Sequence, residues 1–267
     1  MENEIPKLGL GTWQNTDPEK CVESVRMALD LGYQHIDTAQ IYENEQHVGK
    51  GIEQSKKDRE DIFLATKVWI DMLGKNDVKR SVKNSLDKLN TNFIDLLYVH
   101  WPADSYNAKE TMQAFNQLVE EGIVENIGVS NFSPEQLEEA QKYSDVNILA
   151  NQVEMHPFLQ QEELLEYCQE NNIYLVAYSP LARGDVIGHD VLSEIADNHG
   201  VSEAQVSLAW LQSKENVVAI PKASSKEHIE DNFESSELKL SNSEIEKIED
   251  IEKNERHVDP NFGKGWE

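Results

Sequence analysis

Asp37 and Tyr42 stand just past the short apolar run that begins at Gln34, and Lys67 and His100 close two later runs, Ile62–Lys67 and Ile94–His100. A free phenol has a pKa of about 10 and is a poor proton donor at neutral pH, but a nearby cation favours phenolate and lowers that value. Lys67 can be that cation. A lysine buried beside a tyrosine tends to lose its proton, and a carboxylate such as Asp37 would keep the charge in place. His100 can hydrogen-bond the oxygen that Tyr42 would protonate, orienting it and supporting the charge that develops there. Together the four make a device for protonating a carbonyl oxygen. It holds no nucleophile and no metal ligand set, so a reduction would draw its electrons from elsewhere.

Other polar and aromatic groups close neighbouring runs: Ser130 with Asn131, Gln152 with Glu154 and His156, Tyr178 with Ser179, and Pro221 with Lys222. Ser130, Asn131 and Gln152 offer donors and acceptors suited to a carboxamide, and Tyr178 offers a flat face for a ring. These features suit a nicotinamide hydride donor. Lys222, Ser224 and Ser225, with the helix that starts beside them, form a candidate phosphate site. Singly, each residue has an ordinary explanation, since strand-end lysines are usually solvated and tryptophans usually fill space. Their joint occurrence at consecutive run ends points to chemistry.

The elements that must carry these groups recur about every 30 residues. Candidate strands are Leu8–Thr12, Gln34–Asp37, Ile62–Lys67, Ile94–His100, Asn126–Ser130, Leu149–Val153, Ile173–Tyr178 and Val217–Ile220. Apolar residues at spacings of three and four predict helices over Asp17–Leu31, Glu43–Gln54, Asn76–Leu89, Ala108–Glu121, Ser133–Tyr143, Gln160–Glu170 and Ser202–Gln212. Asp17-Pro18 and Ser133-Pro134-Glu135-Gln136 read as helix starts. Eight strand-then-helix units without a linker predict one α/β domain over residues 1–267, a TIM (β/α)8 barrel with its site at the strand carboxyl ends. A doubly wound sheet is disfavoured, because Gly9-Leu10-Gly11 is followed by Thr12-Trp13 and not by a third glycine opening a helix. From Ser241 an acidic helical stretch bearing Ile245, Ile248 and Ile251 leads into an irregular tail, expected over the barrel mouth.

The ordered motifs LGLGTW, GYQHIDTAQIYENEQHVG, LATKVW, DLLYVHWP, IGVSNF, NQVEMHP, AYSPLA and IPKASSKEHIEDNF resemble the aldo-keto reductases over nearly the whole chain. The short connection after Trp101 and the tail ending at Trp266 are most similar to microbial members that include 2,5-diketogluconate reductases. The resemblance implies NADPH-dependent reduction of aldehydes, ketones or keto-sugars to alcohols, with the cofactor extended at the barrel mouth. It implies Tyr42 as general acid, Lys67 and Asp37 as its tuning pair, and His100 as the group that positions the carbonyl. By the same resemblance Ser130, Asn131 and Gln152 hold the carboxamide and Tyr178 stacks on the ring. Thr12, Ser179, Leu181, Lys222, Ser224, His228, Asp231 and Asn232 complete the cofactor site. Trp13, Trp69, Trp101 and Trp266 line the substrate pocket, with Tyr106, Phe132 and Phe158 as lesser candidates. This chain departs from the family in three places: residues 1–7 are too short for the usual bottom-plugging hairpin, Ala223 and His228 replace a serine and an arginine at the 2′-phosphate, and Asp231 replaces a glutamate. Losing a permanently charged, bidentate partner weakens NADPH preference and leaves NADH possible; a partly protonated His228 would give binding that weakens as pH rises through the histidine range. Competing readings are a nicotinamide-binding sensor or accessory subunit, a Schiff-base aldolase using Lys67, and a metal-dependent hydrolase recruiting His100, Glu154 and His156.

Composition bounds the partners. Fifty acidic side chains against 24 basic give 267 residues a formal charge of −26, which repels nucleic-acid phosphates and anionic lipid surfaces. Cys21 and Cys168 are far apart with no metal or disulfide spacing, and no apolar run approaches the roughly 20 residues of a membrane span. The expectation is a cytoplasmic protein, a monomer by resemblance, with no resident metal and a small carbonyl compound as its partner. The acidic excess suggests a chain suited to strong salt, where screening removes self-repulsion. Its melting temperature should therefore rise between dilute buffer and molar salt; calorimetry showing no change or a fall would refute this.

Overall fold

The computed structural model describes residues 4–252 and 255–262. Eight strands, β1 (Gly9–Gly11), β2 (His35–Asp37), β3 (Phe63–Val68), β4 (Ile94–Val99), β5 (Val124–Ser130), β6 (Ile148–Glu154), β7 (Tyr174–Tyr178) and β8 (Val217–Ala219), pair in sequence order. All seven pairings are parallel. Parallel bridges Leu8–Ala219 and Gly11–Lys222 join the last strand to the first, so the sheet closes into the expected barrel. A Cβ at Gly11 would sit 2.7 Å from the Ile220 carbonyl oxygen, so closure at this point needs glycine.

The helices α1 (Pro18–Leu31), α2 (Glu45–Glu53), α3 (Lys75–Leu89), α4 (Ala108–Glu120), α5 (Pro134–Gln141) and α6 (Glu162–Glu170) each follow a strand. Both start signals are used: Asp17 caps α1 with Pro18 in its first turn, and Ser133 with Gln136 closes a capping box on α5. The connection from β7 to β8 departs from expectation. It holds two helices, α7 (Asp190–His199) and α8 (Glu203–Ser213), whereas the sequence reading placed only the second there. Leu192, Ile195 and Ala196 of α7 are buried, and Gly200 ends it in the left-handed region. α9 (Lys226–Glu234) packs on α1 and α8 to complete the ring, and α10 (Asn242–Glu249) lies against α7. Ile251 falls beyond α10 but is still buried.

Strand alternation divides the core in two. One cluster fills the space between sheet and helices, with Val25, Leu64, Phe115 and Trp210 among its members. The other fills the barrel interior with Ala65, Leu96, Tyr98, Ala150, Val176, Val218 and Ile220. Ile5, 3% exposed, joins the interior cluster. Gly128 lies in register with Tyr98, and a Cβ there would meet the Tyr98 ring at 2.6 Å, so this large side chain requires a glycine beside it.

Arg59, in the turn before β3, stitches the sheet to that turn. It donates to Asp95 (2.6 Å), to the carbonyls of Ile62 (2.7 Å) and Phe93 (2.9 Å) and to Thr91 (3.0 Å), with its guanidinium 4.0 Å from the Phe93 ring centre. Asp95 also accepts the Leu64 N–H at 2.9 Å. Removing the arginine leaves a largely buried carboxylate without its counter-charge. Arg59→Ala should cost about 3 kcal/mol in urea unfolding, and Asp95→Asn added to it should recover part of the loss. A loss below about 0.5 kcal/mol, the scale of an exposed pair, would show that the ion pair contributes little.

Candidate active site

Residues 37, 67, 98, 100, 130 and 152 reach the interior by the period-two alternation of their strands. Register sets their heights: Asp37 lies opposite Ala65, Lys67 opposite Tyr98, and Ser130 opposite Gln152. Apolar interior residues fill the lower barrel, and the next layer toward the carboxyl ends is polar.

Lys67 is fully buried, with Nζ 2.5 Å from Asp37 Oδ1 and 2.8 Å from the Thr38 carbonyl. The second Asp37 oxygen accepts from Gln152 Nε2 at 2.7 Å. Burial draws the Lys67 pKa down, and the charge and hydrogen bond of Asp37 oppose it. Lys67 Nζ stands 5.2 Å from the centre of the Tyr42 ring, and the His100 ring meets that of Tyr42 edge-on with centres 5.8 Å apart. Trp69 packs edge-on against the other side of His100, at 4.9 Å. The four side chains singled out in the sequence therefore converge.

The expected lowering of the Tyr42 pKa is not what the site produces. Burial pushes the phenol well above its usual value, and the charge of Asp37 adds to the rise. Lys67 is paired with Asp37, and the Tyr42 hydroxyl makes no hydrogen bond to protein among the described residues. Tyr42 is thus held in its acid form. Burial, with the charge of Lys67 second, pushes His100 well below the ordinary histidine range, so its ring is neutral.

Tyr42 is set by groups that the sequence reading passed over. It ends a short 3-10 turn, Gln40–Tyr42, followed by Glu43 in the left-handed region. Gln40 accepts the Trp69 N–H at 3.1 Å and donates to Ser85 at 3.1 Å. Asn44 donates to the Thr12 carbonyl (2.8 Å) and accepts from Thr38 (2.9 Å), while buried Glu45 accepts from Thr66 (2.8 Å). The loops after β1, β2 and β3 are thereby locked around the phenol. The signal was the pair Asn44-Glu45, polar side chains at a helix start that turn inward.

A cavity of about 270 Å³ opens above this layer. Asp37, Tyr42, His100, Ser130, Asn131, Gln152, Tyr178 and Ser179 line it, as do Thr12, Trp13, Trp69 and Trp101. Asn131 Oδ1 accepts from the Tyr178 hydroxyl at 3.0 Å, which fixes that ring as one wall. Ser130 Oγ donates to the Gln152 carbonyl at 2.8 Å. Leu181 packs against the core and is absent from the lining. Lys222, Ser224 and His228 lie outside it beyond β8; Lys222 donates to Ser224 at 3.3 Å, and Ser225 is occupied in capping α9. Asp231 accepts from Ser202 (2.8 Å) and Gln205 (2.9 Å), and Asn232 is buried. Tyr106, Phe132 and Phe158 are corrected: Phe132 and Phe158 are buried in the outer core, Tyr106 packs on Phe132, and none of the three lines the cavity. Trp266 lies outside the described residues. Instead Ile41, Arg183, Val258, Pro260 and Phe262 supply lining, with Phe262 edge-on to Trp69 (5.9 Å) and Trp101 (5.6 Å). Arg183 stands 5.1 Å over the Trp13 ring. The tail is carried over the mouth by Glu154 at the end of β6, whose carboxylate accepts the backbone N–H groups of His257 (2.9 Å) and Val258 (3.0 Å).

With that geometry in place, the model of the Aldo/keto reductase family matches residues 7–253. The chain belongs to the aldo/keto reductase family. It is 40% identical to a 9,11-endoperoxide prostaglandin H2 reductase of Trypanosoma cruzi, over 98% of this chain and 94% of that protein. It is likewise 40% identical to a glyoxal reductase of Bacillus subtilis, over 97% and 92%. The solved structure of a putative 2,5-diketo-D-gluconic acid reductase B is 36% identical and superposes with a TM-score of 0.96, covering 99% of this chain and 95% of that one. As an aldo/keto reductase this chain is an oxidoreductase that acts on carbonyl compounds. The aldolase alternative fails on geometry as well, because the Lys67 ammonium is buried and tied to Asp37 and the Thr38 carbonyl. Among the described residues no helix is long and apolar enough to cross a membrane.

Proposed function

We propose that this aldo/keto reductase reduces aldehydes, ketones or keto-sugars to alcohols with NADPH, and that Tyr42 gives the proton. The observation that carries the reading is the meeting of Tyr42, His100 and the Lys67–Asp37 pair beneath one cavity. The lining fits a nicotinamide: Tyr178 is held as a wall by Asn131, and Ser130, Asn131 and Gln152 bring polar atoms to its side. When bound, the reduced nicotinamide supplies the hydride that reaches the carbonyl carbon.

The chain's own residues manage the proton. Tyr42 holds it on the phenol oxygen and passes it to the carbonyl oxygen as that oxygen gains charge. Lys67 uses two N–H groups on Asp37 and the Thr38 carbonyl, leaving the third to stabilise the phenolate that remains. Neutral His100 positions the carbonyl oxygen by a hydrogen bond, and Trp69 and Trp101 exclude water around it. Lys222, Ser224 and His228 would hold the 2′-phosphate, with Lys222 and His228 exposed and free to turn toward it. Asp231 is already engaged with Ser202 and Gln205, which makes it a brace for α9 more than a ligand. The reading extends to a monomer in the cytoplasm, in keeping with two free, buried thiols, Cys21 and Cys168, each pushed up to about 12 by burial.

Tyr42→Phe should leave NADPH affinity nearly intact and lower the rate of aldehyde reduction at least about 10²-fold; Lys67→Met should act likewise. Retention of most of the rate by Tyr42→Phe would assign proton donation to another group. Because Tyr42 is raised and His100 lowered, one stays protonated and the other neutral through the middle range. At saturating NADPH the wild-type kcat/KM for the carbonyl should then be nearly flat between about pH 6 and 9, and a step there that vanishes in His100→Gln would contradict it.

Dissociation constants should favour NADPH over NADH, by less than a lysine-arginine site gives. His228→Arg should tighten NADPH roughly tenfold and leave NADH unchanged. Tighter binding of NADH than NADPH by the wild type would refute the cofactor assignment.

A further inference from the structure

Away from the proton-delivery layer, Glu154 and His156 at the end of β6 meet His257 of the tail. One ligand atom from each of the three lies within 4.8 Å of the other two. Glu154 and His156 are fully buried, and His257 is half-buried. His156 turns Nε2 toward Glu154, and Nε2 of His257 is buried without a hydrogen bond, with Asp185 Oδ2 3.5 Å away. Unpaired buried imidazole nitrogens are costly, and proteins keep them where something else completes the bonding.

We propose that Glu154, His156 and His257 form a site for a divalent transition-metal cation of the zinc class, which staples the tail to the barrel rim. The donor set, two imidazoles and a carboxylate, is one that Zn2+ takes with a fourth position left to water. Two ligand atoms at tetrahedral zinc are about 3.3 Å apart, given bonds of about 2.0–2.1 Å. His156 Nε2 and Glu154 Oε1 are 3.3 Å apart, a hydrogen-bond contact whose spacing two ligands of a tetrahedral cation would also have. Glu154 retains lone pairs beyond the two backbone N–H groups it accepts, and those bonds orient its carboxylate as outer-shell partners orient metal ligands. Asp185 and Glu255, both exposed, gather on the solvent side of His257, with Asp185 Oδ2 3.5 Å from its Nε2. They provide an acidic approach for a cation. Only His257 of the three lies on the tail, so a cation here cross-links β6 to the segment whose Val258, Pro260 and Phe262 wall the cavity.

The test uses the full chain, stripped with chelator and kept in excess Mg2+ so that sites built from oxygen alone are filled. Calorimetric titration with Zn2+ should show one saturable site. Titration with Co2+ should raise the visible absorption of a four-coordinate centre, and one equivalent of Zn2+ should abolish it. His257→Ala and His156→Gln should each weaken Zn2+ at least about tenfold, and Zn2+ should slow hydrogen exchange over residues 255–262 in the wild type but not in His257→Ala. Absence of saturable Zn2+ binding, absence of the Co2+ band, or wild-type affinity in His257→Ala would each overturn the proposal. None of these readouts depends on reductase activity, so they stand apart from the cofactor and proton assignments.

Discussion

A lysine with no solvent exposure, placed two residues above Ala65 on the same face of β3, is the constraint to which the upper barrel conforms. Taking both charges of an ion pair out of water costs several kcal/mol per ion, and their attraction offsets this only when the remaining donors and acceptors are also satisfied. The surroundings of Lys67 meet that demand through Asp37, the Thr38 carbonyl and Gln152. Asp37 and Thr38 come from the end of β2 and Gln152 from β6, so the pair ties β2, β3 and β6 together. An apolar substitute at 67 would remove the reason for Gln152 to face Asp37. The polar layer is therefore one unit, and it also determines how Tyr42 and His100 titrate.

The second consequence is electrostatic. At the phenol burial dominates, the charge of Asp37 adds to it, and the proton stays on oxygen. The sequence encourages the opposite expectation, because a lysine near a tyrosine looks like a free cation. Whether it is free depends on a 2.5 Å contact that only three dimensions reveal. His100 follows the same rule with the opposite sign: burial and Lys67 both disfavour its charge, so it acts as a neutral hydrogen-bonding group.

What could be read beforehand divides along one physical line. Strand ends were legible because burial on both faces produces apolar runs, and period-two alternation then fixes which residues at the end point inward. Asp37, Lys67, His100, Ser130 and Gln152 were found that way. The helix α7 was missed, since it lies within a long connection whose apolar residues Leu192, Ile195 and Ala196 are few and contact α8 and α10 more than the sheet. Asn44 and Glu45 were passed over because their roles depend on loops distant in sequence, from Thr12 and Thr66. Tyr106, Phe132 and Phe158 carried the right chemistry for a pocket wall, but composition cannot say which side of a strand end a ring takes. Phe262 is the converse case, a tail residue with no periodicity to announce it.

The cavity thus has walls of two kinds, and they differ in what holds them. His100, Asn131 and Tyr178 are fixed at strand ends, with Asn131 bonded to the His100 carbonyl and the Tyr178 hydroxyl, and Tyr42 is held by the turn before α2. Val258, Pro260 and Phe262 arrive on a segment held by backbone N–H bonds to Glu154 and to the Phe158 carbonyl, by His257 beside Asp185, and by edge-on contacts with Trp69 and Trp101. No hydrogen bond among the described residues joins the tail to Asp37 or Lys67. Lifting it would change the shape and wetness of the mouth while leaving the proton-holding layer intact. Glu154 is the joint between the two kinds of wall: its backbone belongs to β6, two residues beyond Gln152, while its carboxylate belongs to the tail.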